Sequence, residues 1–167
     1  MPDIKLDEAT GAWRDEDIRY VLIRADGLMS AFRDRPDGLA ALAQSIYIHG
    51  RKSLIRYQTK SPDPTVILAT VAGVASFLGW GVWSFSRDDR GLALIVRNSP
   101  FAAASPSSST AACAPILGMF RAVSELILHQ PVTALEHACA ASGAASQCEF
   151  RATAQAEPDS NAKVARL

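Results

Sequence analysis

The chain has 167 residues and a mass of 17.8 kDa, enough for one domain with a substantial buried core. Seventeen Lys and Arg residues cancel seventeen Asp and Glu residues, which leaves no basic footprint for nucleic acid and no polybasic segment for an anionic membrane surface. The polar, acidic start Met1-Pro-Asp-Ile-Lys-Leu-Asp-Glu8 is no secretory signal, and three cysteines cannot all pair, so reduced thiols in the cytoplasm are expected.

Residues 1–17 are polar and expected to be flexible. Tyr20-Val-Leu-Ile23 is a short β-prone run, followed by the turn signal Asp26-Gly27. Leu28 to Phe32 continues apolar until the break at Arg33-Asp-Arg-Pro36. A long helix is predicted from about Asp37 to Tyr57, because Leu39, Leu42, Ala43, Ile46, Tyr47, Leu54 and Ile55 recur at helical spacing. Gln44, Arg51, Lys52 and Arg56 lie on its other side, where Ile48 and Leu54 add more apolar surface than one core needs. Two-fold pairing is the commonest way to cover such surface, so a homodimer is expected. Ser61-Pro-Asp-Pro64 ends the helix, since proline cannot continue a helix interior.

Thr65 to Ser86 carries no charge. By length it could cross a bilayer, but it is rich in Ala, Gly, Ser and Thr and interrupted by Gly79 and Gly81. A buried helix from Thr65 to about Leu78, leaving into a strand through the two glycines, is the better reading, with no stable membrane insertion. Val82–Phe85 and Leu92–Val96 flank Arg87-Asp-Asp-Arg-Gly91, whose composition makes a hairpin turn. A Ser-rich low-complexity loop fills 102–112. A third helix is predicted over about Ala114–His129, with Ile116, Leu117, Phe120, Val123, Leu126 and Ile127 buried and His129 in its last turn. A second hairpin, Val132–Glu136 with Gln147–Thr153, turns through Ser142-Gly143, and residues 154–167 read as a disordered tail.

The cysteines read Cys113, Cys139 and Cys148, and with Glu136 they form Cys-x22-Glu-x2-Cys-x8-Cys. Three thiolates and a carboxylate suit a tetrahedral zinc ion, and four protein ligands would make it structural. Glu136 and Cys139 are three apart, an odd spacing that sends them to opposite faces of an unbroken strand. Sharing one ion therefore requires the strand to end near Glu136, with Cys139 in the following turn. Three buried, reduced core cysteines remain the competing reading. Trp80, Trp83, Phe101 and Phe120 pack the core or line an apolar cavity. The sequence offers no phosphate-cradling glycine loop and no Ser/His/Asp arrangement, which weighs against a self-contained enzyme.

Leu78-Gly-Trp-Gly81, Val96-Arg-Asn-Ser-Pro100, Cys113 with Gly118, and Glu136-x-x-Cys139 followed by Gly143 and Cys148-Glu-Phe150 together resemble the 4-vinyl reductase domain family, over residues 18–153. The family occurs in aromatic-hydrocarbon-sensing activators and in a bacteriochlorophyll-biosynthesis protein. The resemblance implies an α+β fold like that of vesicle-tethering (TRAPP) subunits, with an antiparallel sheet packed on helices, an apolar cavity and helix-mediated homodimers. It implies zinc held by Cys113, Glu136, Cys139 and Cys148. In the phenol-sensor branch a tryptophan precedes the Asn-Ser turn and helps hold the phenol; Val96 stands at that place here. The sensors' ATPase and DNA-binding domains have no counterpart in this sequence. The expected function is binding of a hydrophobic, aromatic or tetrapyrrole-like small molecule; the alternative is an auxiliary or reductase component in bacteriochlorophyll biosynthesis.

Overall fold

A computed structural model describes residues 3–32, 35–105 and 112–155. Three short strands open the chain: β1 (Lys5–Asp7), β2 (Ala12–Asp15) and β3 (Ile18–Tyr20) form an antiparallel sheet in that order. Within 1–17, expected to be flexible, residues 5–7 and 12–15 are strands. Two tight reversals pair Trp13 with Leu6 on one side and Tyr20 on the other, and the sheet is pinned by Ala12, which is buried. The β-prone run is also displaced: Val21, Leu22 and Ile23 lie beyond β3 and are 80%, 76% and 63% exposed. Asp26-Gly27 does not turn the chain. Both belong to helix α1 (Ala25–Ser30), where Asp26 sits in the first turn and accepts the Arg24 guanidinium.

Helix α2 (Pro36–Lys60) starts with proline in its first turn, a position with no N–H to satisfy. It buries Tyr47 and Leu54, so Leu54, read as part of an outer face, belongs to the chain's own core, while Ile48 and Ile55 point outward. Helix α3 (Pro64–Phe77) begins with Asp63 accepting the Thr65 N–H at 2.8 Å, the cap expected of an aspartate before a helix. Its buried residues Ile67, Val71 and Ala75 follow the helical period. Among the described residues no helix is long and apolar enough to cross a membrane. Gly79 and Gly81, at φ of +76° and +92°, carry the chain from α3 into the sheet.

That second sheet holds β4 (Val82–Asp88), β5 (Gly91–Arg97), β7 (Cys148–Ala154) and β6 (Val132–Ala138), in the order β4-β5-β7-β6, all antiparallel. One face is apolar by strict alternation: Leu92, Leu94 and Val96 of β5 and Cys148, Phe150 and Ala152 of β7 are all buried. Between β5 and β6 lie the short helix α4 (Pro100–Ala103) and helix α5 (Ala114–Leu128). Helix α5 lies between the sheet and α2, with Ile116, Phe120, Val123 and Ile127 buried. Gly118 is where α5 meets α2: a Cβ there would stand 2.1 Å from the Ala43 carbonyl oxygen. His129 is not in the last turn but caps the helix in a left-handed conformation, at φ 55°. Residues 106–111 of the Ser-rich loop and 156–167 of the tail lie outside the described residues. Ala154 ends β7, and the Gln155 N–H donates to Pro131.

Candidate metal centre and its surroundings

Four chain segments converge at the open end of the sheet. Cys113 is the residue before α5, and its backbone N–H donates to Glu136 Oε2 at 3.2 Å. Glu136 pairs with Phe150, but Ala138 pairs with Glu149, so His137 is an extra residue on β6. Such a bulge shifts the alternation by one. Glu136 and Cys139 therefore face the same way despite their odd spacing. A single 3-10 turn, Ala140–Ser142, and Gly143 at φ 74° then reverse the chain toward Cys148, the first residue of β7. One ligand atom from each of Cys113, Glu136, Cys139 and Cys148 lies within 4.8 Å of the other three. The Cys113 and Cys148 sulfurs are 3.5 Å apart. Around a metal with bonds of about 2.3 Å, tetrahedral sulfurs stand roughly 3.8 Å from one another.

Electrostatics point the same way. Cys113 and Cys148 are fully buried. Burial, then the Cys139 thiol beside it, pushes the Glu136 carboxyl up to about 8. Hydrogen bonding with Cys139 and Cys148, reinforced by burial, raises the Cys113 thiol far above its ordinary range. Cys148 is lowered, because Cys113 and Cys139 and then the Ala140 N–H donate to its sulfur. Glu136 Oε1 is buried and has no hydrogen-bond partner among the described residues. A buried oxygen acceptor left unpaired beside three thiols is the donor set a soft divalent cation satisfies. The four residues could hold a metal ion.

The four aromatic residues separate into two groups. Trp80 stands edge-on to Phe101 with ring centroids 5.3 Å apart and lies 6.5 Å from Trp83, whose indole N–H donates to the Trp80 carbonyl. Phe120 lies apart from them, 6.0 Å from Phe150 under the sheet. Trp83, Phe101 and Phe120 are buried in one core, and Trp80 is half-buried against it. Val96 is fully buried, opposite Trp83 in the ladder.

Residues 92–154, which hold all four metal-type ligands, match the family model of the 4-vinyl reductase domain. The matched span is less than half of this chain. No curated protein sequence matches it. Its fold is similar to that of the phenol-responsive sensory domain of the transcription activator PoxR, solved with phenol, at a TM-score of 0.77 and 10% identity, over 90% of this chain and 84% of that one. A vinyl-4-reductase family protein from Methanocaldococcus jannaschii aligns at a TM-score of 0.55 and 12% identity, over 83% of this chain and 84% of that one. A trafficking protein particle complex subunit 3 from Naegleria fowleri, covalently bound to palmitic acid, aligns at 0.52 and 15% identity, over 79% of this chain and 95% of that one. The expected α+β architecture, an antiparallel sheet packed on helices, is the one found.

Two features around the metal-type cluster and the sheets escape a sequence reading. Ser99 caps α4 by accepting the Ala102 N–H, and its hydroxyl sits 3.2 Å from the Cys113 sulfur. The visible signal was the Asn98-Ser-Pro turn, where Asn98 adopts φ 55°. A cleft of about 610 Å³ opens between the N-terminal sheet and helices α2 and α3, lined by residues that include Asp15, Tyr20, Arg56, Tyr57 and Ile67. None of Trp80, Trp83, Phe101 or Phe120 lines it.

Proposed function

We propose that this chain is a 4-vinyl reductase domain that binds a hydrophobic small molecule, aromatic or tetrapyrrole-like, in a cytoplasmic homodimer whose C-terminal hairpin is fastened by zinc. The observation that carries the reading is the likeness, over 90% of the chain, to a sensory domain solved with phenol. The ligand would enter at half-buried Trp80 and be held among Trp80, Trp83 and Phe101, with Phe120 behind them in the same core. Apolar sites with few polar groups are the usual form for such ligands. Buried Val96 lacks any hydrogen-bonding side chain, which favours a ligand recognised by shape and stacking rather than by a hydroxyl.

In this reading zinc is held by Cys113, Glu136, Cys139 and Cys148, and its four protein ligands leave no position for substrate. Its work is mechanical: it ties the start of α5 to the β6–β7 turn and satisfies Glu136 Oε1. Pairing of two chains would use the outward apolar residues of α2 and α3, among them Ile48, Ile55, Val66 and Phe77. Native mass spectrometry of freshly isolated protein, followed by titration with phenol and protoporphyrin while tryptophan emission is recorded, tests the proposal. Saturable quenching that weakens in Trp80→Leu supports it. An empty protein whose emission and melting ignore both probes overturns it. Retention of a tetrapyrrole alone would favour the role in pigment biosynthesis, which the likeness to a vinyl-4-reductase family protein supports.

A further inference from the structure

We propose that the cleft between the N-terminal sheet and helices α2 and α3 is a second binding site, for a small organic cation of the alkylammonium class. It lies wholly outside the span that matches the family model and shares no residue with the aromatic group around Trp80. At about 610 Å³ its volume is that of a ligand pocket. The charges on its wall do not cancel locally. Asp3 is paired with Lys5 at 2.5 Å, and Glu16 with Arg56 at 3.5 Å, which occupies the cleft's arginine. Asp15 pairs with no cation among the described residues; its Oδ1 accepts only the distant Asp3 N–H, at 3.4 Å.

Two phenol rings share the cleft with that carboxylate. Tyr20 is brought there by β3 and Tyr57 by α2. Burial first, and then the nearby Asp15 charge, raises Tyr20; burial, Tyr20 and Asp15 raise Tyr57; Arg56 opposes the rise in both but is outweighed. Both rings are therefore neutral at physiological pH and within the field of Asp15. Neutral aromatic faces attract a cation, and more strongly where a carboxylate adds its charge. Ile18 and Ile67 supply apolar wall for alkyl groups. An anion would meet Asp15 and find Arg56 already engaged.

The test is a titration of the full chain, labelled with ring-¹³C tyrosine, with choline and with its uncharged isostere 3,3-dimethylbutan-1-ol. The chain has three tyrosines, and Tyr47, bound to Glu125, is the internal control. Choline should shift the Tyr20 and Tyr57 signals saturably and leave Tyr47 in place, with the isostere about tenfold weaker. Asp15→Asn should lower choline affinity to the isostere's level; Tyr57→Phe should keep binding and Tyr57→Leu should lose it, with the Tyr47 signal reporting that each variant is folded. Absence of a saturable shift, equal affinity for choline and the alcohol, or an Asp15→Asn variant that binds as well as the parent would each overturn the proposal.

Discussion

Glu136 and Cys139 reach the same metal-type cluster because β6 carries one residue, His137, that β7 does not match. The bulge converts a separation of three, which would split the pair across the sheet, into one that places a carboxylate oxygen among three sulfurs. Phe150 and Glu149 fix it by pairing with Glu136 and Ala138. The cluster is thus a property of two strands and a helix start together, and it should respond as a unit.

Removing one ligand should therefore disturb both metal and fold. Cys139 is the most accessible of the sulfurs, so Cys139→Ser leaves the buried pair in place. Metal affinity should fall by more than the roughly 10- to 100-fold typical of losing a supporting contact. The melting temperature should fall with it, since metal affinity is folding free energy. Elemental analysis and thermal melting of the same preparation check both.

The pH dependence has a definite sign. In metal-free protein the Glu136 carboxyl is raised from 4.5 to about 8, so the folded state binds its proton more tightly than the unfolded chain. That contribution is fully present below pH 4.5 and is lost as pH rises through 8, at up to about 1.4 kcal/mol per unit. Metal binding must expel this proton and those of the thiols, so the metal-bound protein should gain on raising pH where the metal-free protein loses. Denaturant midpoints at a series of pH values, with and without zinc, should diverge across the window between 4.5 and about 8.

Gly118→Ala should be costly although the helix tolerates alanine. The added methyl meets the backbone of α2 at Ala43, with Tyr47 N at 3.1 Å, so one helix must move. Overpacking of this kind costs about 1–3 kcal/mol. A fall in the urea midpoint reads it.

The same interface carries one strong hydrogen bond. The Tyr47 hydroxyl donates to Glu125 Oε2 at 2.6 Å, and the Arg121 guanidinium lies over its ring at 4.3 Å. Tyr47→Phe keeps the stacking and removes both this bond and the one the hydroxyl accepts from Arg51 at 3.0 Å. A loss of about 1.5–3 kcal/mol is expected, the range for hydrogen bonds to charged groups, measured by chemical denaturation.

How far these features were legible differs from element to element. The long helix over 36–60 and the two hairpins of the second sheet announce themselves through helical spacing and through Asp-Arg-Gly and Ser-Gly turns. The N-terminal sheet does not. Its strands have three or four residues, too few for an alternation to register, and Lys5–Asp7 is exposed throughout. Asp26-Gly27 carries a turn dipeptide, yet an aspartate is equally suited to a helix's first turn, and the succeeding apolar residues decide for α1. The cysteine and glutamate spacing named the metal-type ligands. The bulge that unites them did not appear, because it is set by the register of β7, a separate strand beyond the intervening turn. The cleft was invisible for the same reason: Asp15, Tyr20, Tyr57 and Ile67 come from four elements.

The most direct measurement is zinc K-edge X-ray absorption on protein purified without added metal, with the metal counted in the same sample. One zinc per chain is expected, with three sulfurs at about 2.3 Å and one oxygen at about 2.0–2.2 Å. Protein that contains no metal, takes up none, and melts identically in a strong chelator would contradict it, and would return Cys113, Cys139 and Cys148 to the ordinary core.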